Sequence, residues 1–199
     1  MGRLSPPMTA ILVVCTGNVC RSPIAEGLLR VALEARLAAD APDVASAGTM
    51  GWVGSGADPN SVEAAAELGV DISGHRAREV SDEDVARSTL ILAMAPEHAR
   101  AFGGEARERT FTLKELVRLL EALPEGAPGQ GLEQRIAAAN RLRAQGFPGH
   151  PRDEGIMDPL GKPLAAFRAV ATELDRWCSR LTVGLFGRAE ATATGTSRS

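Results

Sequence analysis

The run TAILVV, Thr9 to Val14, is apolar almost throughout and rich in β-branched residues, as a strand buried on both faces requires. Cys15 to Ser22 is small and polar, and Pro23 suits the first turn of a helix. In that helix Ile24, Leu28, Val31 and Ala35 recur on one face. The pattern predicts further strands at Val44 to Ala47 and Thr89 to Ala95, and a short one near Thr110. It predicts helices at Pro59 to Leu68, closed by Gly69, at Pro96 to Phe102 and at Lys114 to Leu123. A proline- and glycine-rich loop, Pro124 to Gly131, precedes a polar helix. The loop Gly146 to Pro163 then leads into a long helix, Pro163 to Leu181.

Strands alternating with helices predict an α/β fold: a single-domain, doubly wound, mostly parallel four-stranded sheet flanked by helices. Residues 1–8 read as a loose lead, 9–186 as the domain and 187–199 as a polar, disordered tail. In such sheets the site lies at the carboxyl ends of the strands, and Cys15 stands at one.

Composition narrows the function classes. A chain of 199 residues, 44% apolar and 24% charged, suits one soluble α/β domain. The net charge of -3, without blocks of like charge, argues against a nucleic-acid surface. No apolar run approaches the roughly 20 residues of a membrane span. Ala10 to Val14 is too short for a signal peptide, so a cytoplasmic location is expected. Three cysteines, Cys15, Cys20 and Cys178, cannot all pair within one chain, which favours reduced thiols.

The stretch VVCTGNVCRSP carries the chemistry: Cys15, five residues, Arg21, then Ser22. A strand, a tight loop and a helix start together curl successive backbone N–H groups around an anion, and the helix end adds positive charge. Gly17 permits positive φ in the loop, and Asn18 is among the few other residues that tolerate it. Arg21 holds two oxyanion oxygens at once through its planar fork. Cys15 lies at the floor of such a cradle, where a helix N-terminus and a cation favour the nucleophilic thiolate. Its attack on phosphorus gives a thiophosphate intermediate that water hydrolyses. Ser22 is placed to donate a hydrogen bond to the sulfur as it departs. A lone cysteine is most often buried and inert, but the accompanying Arg21, Ser22 and Gly17 make that reading the weaker one here. Cys15 and Cys20 also have a C-x4-C spacing, yet no second Cys or His pair exists at ligand spacing, so no metal is expected. The leaving group needs a proton. Asp153, Glu154 and Asp158 in the loop 146–163 are the candidates, and pattern alone leaves all three open.

From about Ala10 to Leu181 the chain resembles the low-molecular-weight protein tyrosine phosphatase family. VVCTGNVCRSPIAEGLL resembles its phosphate-binding loop and first helix, and SAGTMGW its segment beside the site. ADP at Ala57 to Pro59, GHRAREV around His75, LILAMA and Asp158-Pro159 follow in the family's order. The resemblance implies that Cys15 is the nucleophile, Arg21 the phosphate clamp, Ser22 the thiolate stabiliser and Asp158 the general acid and later base. Thr16, Gly17, Asn18, Val19 and Cys20 complete the substrate-binding loop, and Trp52 walls the cleft. Asn18, Ser46 and His75 resemble a network that holds the loop in shape. Cys20 resembles the loop cysteine that forms a reversible disulfide with Cys15, whereas Cys178 reads as core. The implied substrates are phosphorylated proteins or small aryl phosphates, with no cofactor, nucleic acid or membrane.

Three departures stand out. Leu160 replaces the tyrosine usual after Asp-Pro, Ala95 replaces an acid after the third strand, and the stretch from about Ala122 to Pro151 is long, as if to cover the cleft or meet a partner. Arsenate reduction on the same fold is the first rival, but it needs further relay cysteines, and Cys178 alone is available. A non-catalytic phosphate-binding module is the second. A substrate change toward phosphoarginine or a small phosphate ester is the third, with Thr16 a position where it would arise.

Overall fold

A computed structural model of the chain describes residues 11–124, 131–147 and 154–187. The expected lead, the tail beyond Gly187, the middle of the loop 124–131 and Asp153 lie outside them. Four strands, β1 (Ile11–Cys15), β2 (Val44–Gly48), β3 (Leu90–Ala93) and β4 (Thr110–Thr112), form one sheet in the order β2-β1-β3-β4. Every strand pairing in it is parallel, so the sheet is fully rather than mostly parallel among the described residues. Seven α-helices accompany the described strands: α1 (Arg21–Leu37), α2 (Pro59–Ala66), α3 (Asp82–Arg87), α4 (Pro96–Ala99), α5 (Leu113–Ala122), α6 (Leu132–Ala144) and α7 (Leu164–Phe186).

The unbroken hydrophobicity of β1 has a direct cause. Ile11 and Val13 face a core shared with α1, α5 and α7 through Leu28, Leu116 and Phe167. Leu12 and Val14 face a second, smaller cluster with Ile91, Phe102 and Ala106. A strand covered on both sides has no polar face to alternate with. β1 is also central, so its carboxyl end opens at the point where the chain's winding reverses, between β2 and β3.

Several predicted boundaries move. Cys15 is the last residue of β1, and α1 begins at Arg21, two residues before Pro23, so Arg21 and Ser22 belong to the helix and not to the loop. The helix α2 starts on the Asp58 side chain, which accepts from the Asn60 N–H at 2.8 Å. It ends earlier than expected, at Ala66, and Gly69 follows with φ 78° to turn the chain. α3 was not predicted: six residues are too few for a periodic signal, and its Ser81/Asp84 capping box supplies the order instead. The helix expected over Pro96 to Phe102 shrinks to the four residues of α4, whose N-cap, Ala95, has no side chain to cap it.

The long stretch before the acid loop does not cover the cleft in its described part. α6 instead shields the sheet's edge strand. Arg143 donates to Thr110 O at 2.7 Å and lies 4.0 Å from the Phe111 ring centroid, which blunts an edge otherwise open to pairing. Arg135, only 3% exposed, donates from Nε and Nη2 to Gly184 O and from Nη1 to Pro124 O. The Gly184 carbonyl lies in the last turn of α7, where helical acceptors lack partners, and Pro124 follows the end of α5. Replacing Arg135 with alanine leaves both carbonyls buried and unpaired. We expect a loss of about 1–3 kcal/mol of unfolding free energy in urea, with Arg135→Lys recovering only part of it.

Candidate active site

The cleft is a cavity of about 100 Å³ at the carboxyl end of β1. Cys15 and Arg21 line it together with Thr16, Gly17, Val19 and Cys20 of the loop, while Trp52, Asp158 and Leu160 form its rim. Asn18 and Ser22, expected to bind substrate with them, do not line the cleft: both are fully buried behind it.

The loop's shape rests on Asn18. It is fully buried and holds φ 58°, the left-handed conformation that costs an ordinary residue about 1–2 kcal/mol. Gly17, expected to share that conformation, is not among the positive-φ residues. The Trp52 ring packs over it, with ring atoms 3.6 Å from where a Cβ would stand, a distance at which a methyl group would make ordinary contact. Asn18 Oδ1 accepts from the Arg78 N–H at 3.0 Å, which fixes the amide's orientation because a backbone N–H can only donate. The amide nitrogen then donates to Ser22 Oγ and Ser46 Oγ, both at 2.9 Å. His75 Nε2 donates to Asn18 O at 2.7 Å, which places a proton on that nitrogen.

Ser22 thus accepts from Asn18 and keeps its own proton for Cys15 Sγ, 2.9 Å away. Ser46 likewise accepts from Asn18 and donates to Glu26 Oε2 at 2.6 Å. Glu26, also paired with Arg30, ends this chain of hydrogen bonds, and the sequence reading did not single it out. It sits on α1 like any exposed helical acid, and only the fold shows what it accepts.

Close approach dictates two glycines nearby. A Cβ on Gly48 would stand 2.4 Å from Thr16 O, and one on Gly51 2.3 Å from Arg78 O. Met50 and Trp52 donate their N–H groups to Thr16 O and Gly17 O at 3.0 Å each, tying the loop to the segment that carries the tryptophan.

Arg21, 4% exposed, spans to the acid loop. Nη1 donates to Ile156 O at 3.2 Å and Nη2 to Asp158 Oδ2 at 2.6 Å, whereas Nε is buried without a partner among the described residues. The Ile156 N–H donates to Met94 O at 2.7 Å, so the acid loop is pinned to the end of β3 as well. Of the three candidate acids, Asp158 alone is shown at the cleft. Glu154 pairs with Arg118 at 3.1 Å, away from it. Asp158 Oδ1 accepts from the Leu160 N–H at 3.1 Å, which sets the turn and brings Leu160 to the rim.

Burial pushes Cys20 up to about 12, so it stays protonated at neutral pH. Cys178 is buried in α7 and burial pushes it up too. All three cysteines are unpaired. One buried residue was missed altogether: His98 of α4, whose Nε2 lies 2.9 Å from Thr16 Oγ1.

A cysteine at a strand end, cradled by a loop and faced by the first arginine of the next helix, defines an α/β protein built around a phosphate loop. The chain belongs to the low molecular weight phosphotyrosine protein phosphatase family, whose model matches residues 10–125. It is 34% identical over 180 residues to the low molecular weight protein-tyrosine-phosphatase Etp of Escherichia coli K12, covering 87% of this chain and 95% of that protein. It is 47% identical over 90 residues to the probable low molecular weight protein-tyrosine-phosphatase EpsP of Ralstonia solanacearum, where the match spans 45% of this chain and 58% of that protein. Among solved structures, the low molecular weight protein tyrosine phosphatase of T. tengcongensis superposes with a TM-score of 0.65 at 31% identity, covering 86% of this chain and 96% of that one.

Removing the Asn18 side chain should both strand its partners and leave a strained backbone. Asn18→Ala is expected to lower the unfolding free energy by about 2–4 kcal/mol, read by denaturant titration. A loss below ~1 kcal/mol would show that the loop holds its shape without Asn18.

Proposed function

We propose that this chain is a cysteine-dependent phosphatase that hydrolyses phosphotyrosine-type monoesters through a thiophosphate intermediate on Cys15. The observation that carries the reading is Arg21 Nε, a buried donor at the wall of the cleft with no partner among the described residues. Such a group costs about 1–3 kcal/mol unless something accepts from it, and an oxyanion in the cradle does so.

The steps follow from the groups present. The Cys15 thiolate attacks phosphorus in line with the ester oxygen, so an S–P bond forms as the O–P bond breaks. Ser22 O–H and the N-terminus of α1 stabilise negative charge on the sulfur. Arg21 Nε and Nη2 hold two phosphoryl oxygens, and Asp158, in its carboxylic acid form, gives its proton to the departing oxygen. Water then attacks phosphorus, Asp158 takes its proton, and the S–P bond breaks to return Cys15. Asn18, Ser46 and His75 hold the cradle, and Thr16, Gly17, Val19 and Cys20 form its walls.

The rim favours an aryl ester on a protein. Trp52 and Leu160 are exposed at the rim, an apolar pair for an aromatic leaving group, and their chain neighbours Met50, Val53 and Met157 are exposed as well. Leu160 in place of an aromatic removes one stacking face, so the ring is held chiefly by Trp52. Arsenate reduction loses its only further thiol, since Cys178 lies in the core beneath α7. Unpaired thiols and no described helix long and apolar enough to cross a membrane suit a reducing, cytoplasmic setting.

Hydrolysis of p-nitrophenyl phosphate and a phosphotyrosine peptide under reducing conditions tests this directly. Cys15→Ser should abolish turnover, and Asp158→Ala should slow it about 10²–10⁴-fold. Hydrolysis of phosphoarginine alone would move the substrate class, and no turnover of either ester would sink the reading. Leu160→Tyr should lower KM for the aryl ester several-fold with a smaller change in kcat, corresponding to about 0.5–1.5 kcal/mol of ring contact. An unchanged KM would show that Leu160 does not face the leaving group.

A further inference from the structure

One buried titratable side chain touches the phosphate loop and plays no part in the steps above. His98 sits on α4, directly after β3, and is 2% exposed. Its Nε2 lies 2.9 Å from Thr16 Oγ1, while its Nδ1 is buried without a partner among the described residues. Thr16 is the residue next to Cys15. Its carbonyl is held by the Met50 N–H from the β2 side, so His98 supplies the matching hold from the β3 side.

The unpartnered Nδ1 decides the tautomer. A neutral imidazole has one N–H and one bare nitrogen. A proton on Nδ1 would bury an orphan N–H, the rarer and costlier defect, whereas a proton on Nε2 leaves only an unfilled lone pair. Nε2–H therefore donates to the Thr16 hydroxyl. The charged groups around the ring agree. Burial and then the Arg21 charge push the His98 pKa down from its ordinary value, against Glu97 of α4 and Asp158 of the acid loop. The ring stays neutral at neutral pH and keeps a single donor.

We propose that His98 is a positioning residue for the reaction: its Nε2–H holds the Thr16 hydroxyl and so fixes the first turn of the phosphate loop beside Cys15. Arg21 and the start of α1 bind phosphate charge wherever that turn sits, so binding survives its displacement. In-line attack does not, because a shift of about 1 Å in the nucleophile costs up to roughly 10²-fold in rate. Loss of His98 thus lowers kcat and spares KM.

The inference rests on the phosphatase reading, and the test separates the two. On p-nitrophenyl phosphate, His98→Asn, which cannot place a donor at the Nε2 position, should lower kcat by about tenfold or more with KM within about threefold. His98→Gln, whose amide nitrogen reaches that position, should return kcat to within about threefold of wild type. Thr16→Val should match His98→Asn, and the double variant should lose no more than either alone. Two-bond ¹H–¹⁵N spectra of the wild type should show His98 protonated on Nε2. Equal activity of the Asn and Gln variants, additive losses, or an Nδ1–H tautomer would each overturn the proposal. A wild type inactive on every phosphate ester would sink the phosphatase reading, yet the tautomer would still decide whether His98 donates to Thr16.

Discussion

The site depends on holding one non-glycine residue, Asn18, in a left-handed turn between a strand and a helix. The conformation is unfavourable alone, and four hydrogen bonds to Asn18, from or to Arg78, Ser22, Ser46 and His75, over-determine it. Their partners come from α1, β2 and the segment before α3, so the loop cannot relax without disturbing all three. That rigidity presents Cys15 Sγ beneath the Ser22 hydroxyl and sets the start of α1 beside it. The cradle is preorganised by interactions that never touch the anion it would hold.

Arg21 couples this rigid half to a second element that arrives from 137 residues away in sequence. Its guanidinium bonds both the Ile156 carbonyl and the Asp158 carboxylate, and the Ile156 N–H closes the other side on Met94. A single side chain therefore serves as the site's cation and as the latch of its acid loop. Nη2 carries two N–H groups, enough for a phosphoryl oxygen and the Asp158 carboxylate together, so a bound phosphate would sit on the same guanidinium that holds the acid loop.

Away from the loop, the departures from the family pattern have local consequences. Ala95 leaves α4 uncapped and four residues long, and the chain turns at once so that Phe102 enters the smaller core cluster. The described part of the long stretch before the acid loop, α6, is spent on the edge of the sheet, where Arg135 and Arg143 satisfy carbonyls of α7, β4 and Pro124. Leu160 changes the rim without changing the floor, because the Asp158 turn that places it depends on backbone rather than on the side chain it carries.

The sequence by itself determined the parallel α/β architecture, because apolar runs that are continuous for strands and periodic for helices survive in one dimension. It also singled out Cys15 and Arg21 as the candidate nucleophile and its arginine, since a strand–loop–helix motif is local and its residues are neighbours before the chain folds. Short or boundary features escaped it: α3 lacks the length to show a period, and α1 starts two residues early because Arg21 and Ser22 have no distinctive helical signal. Residue pairing across strands could not be read at all. Residue pattern did not separate Asp158 from Glu154, whereas folding pairs the first with Arg21 and the second with Arg118, and Glu26 and His98 looked like ordinary helix residues until folding set them against Ser46 and Thr16. Such contacts join segments far apart in the chain, and their energies exist only once the sheet has fixed where its strand ends lie.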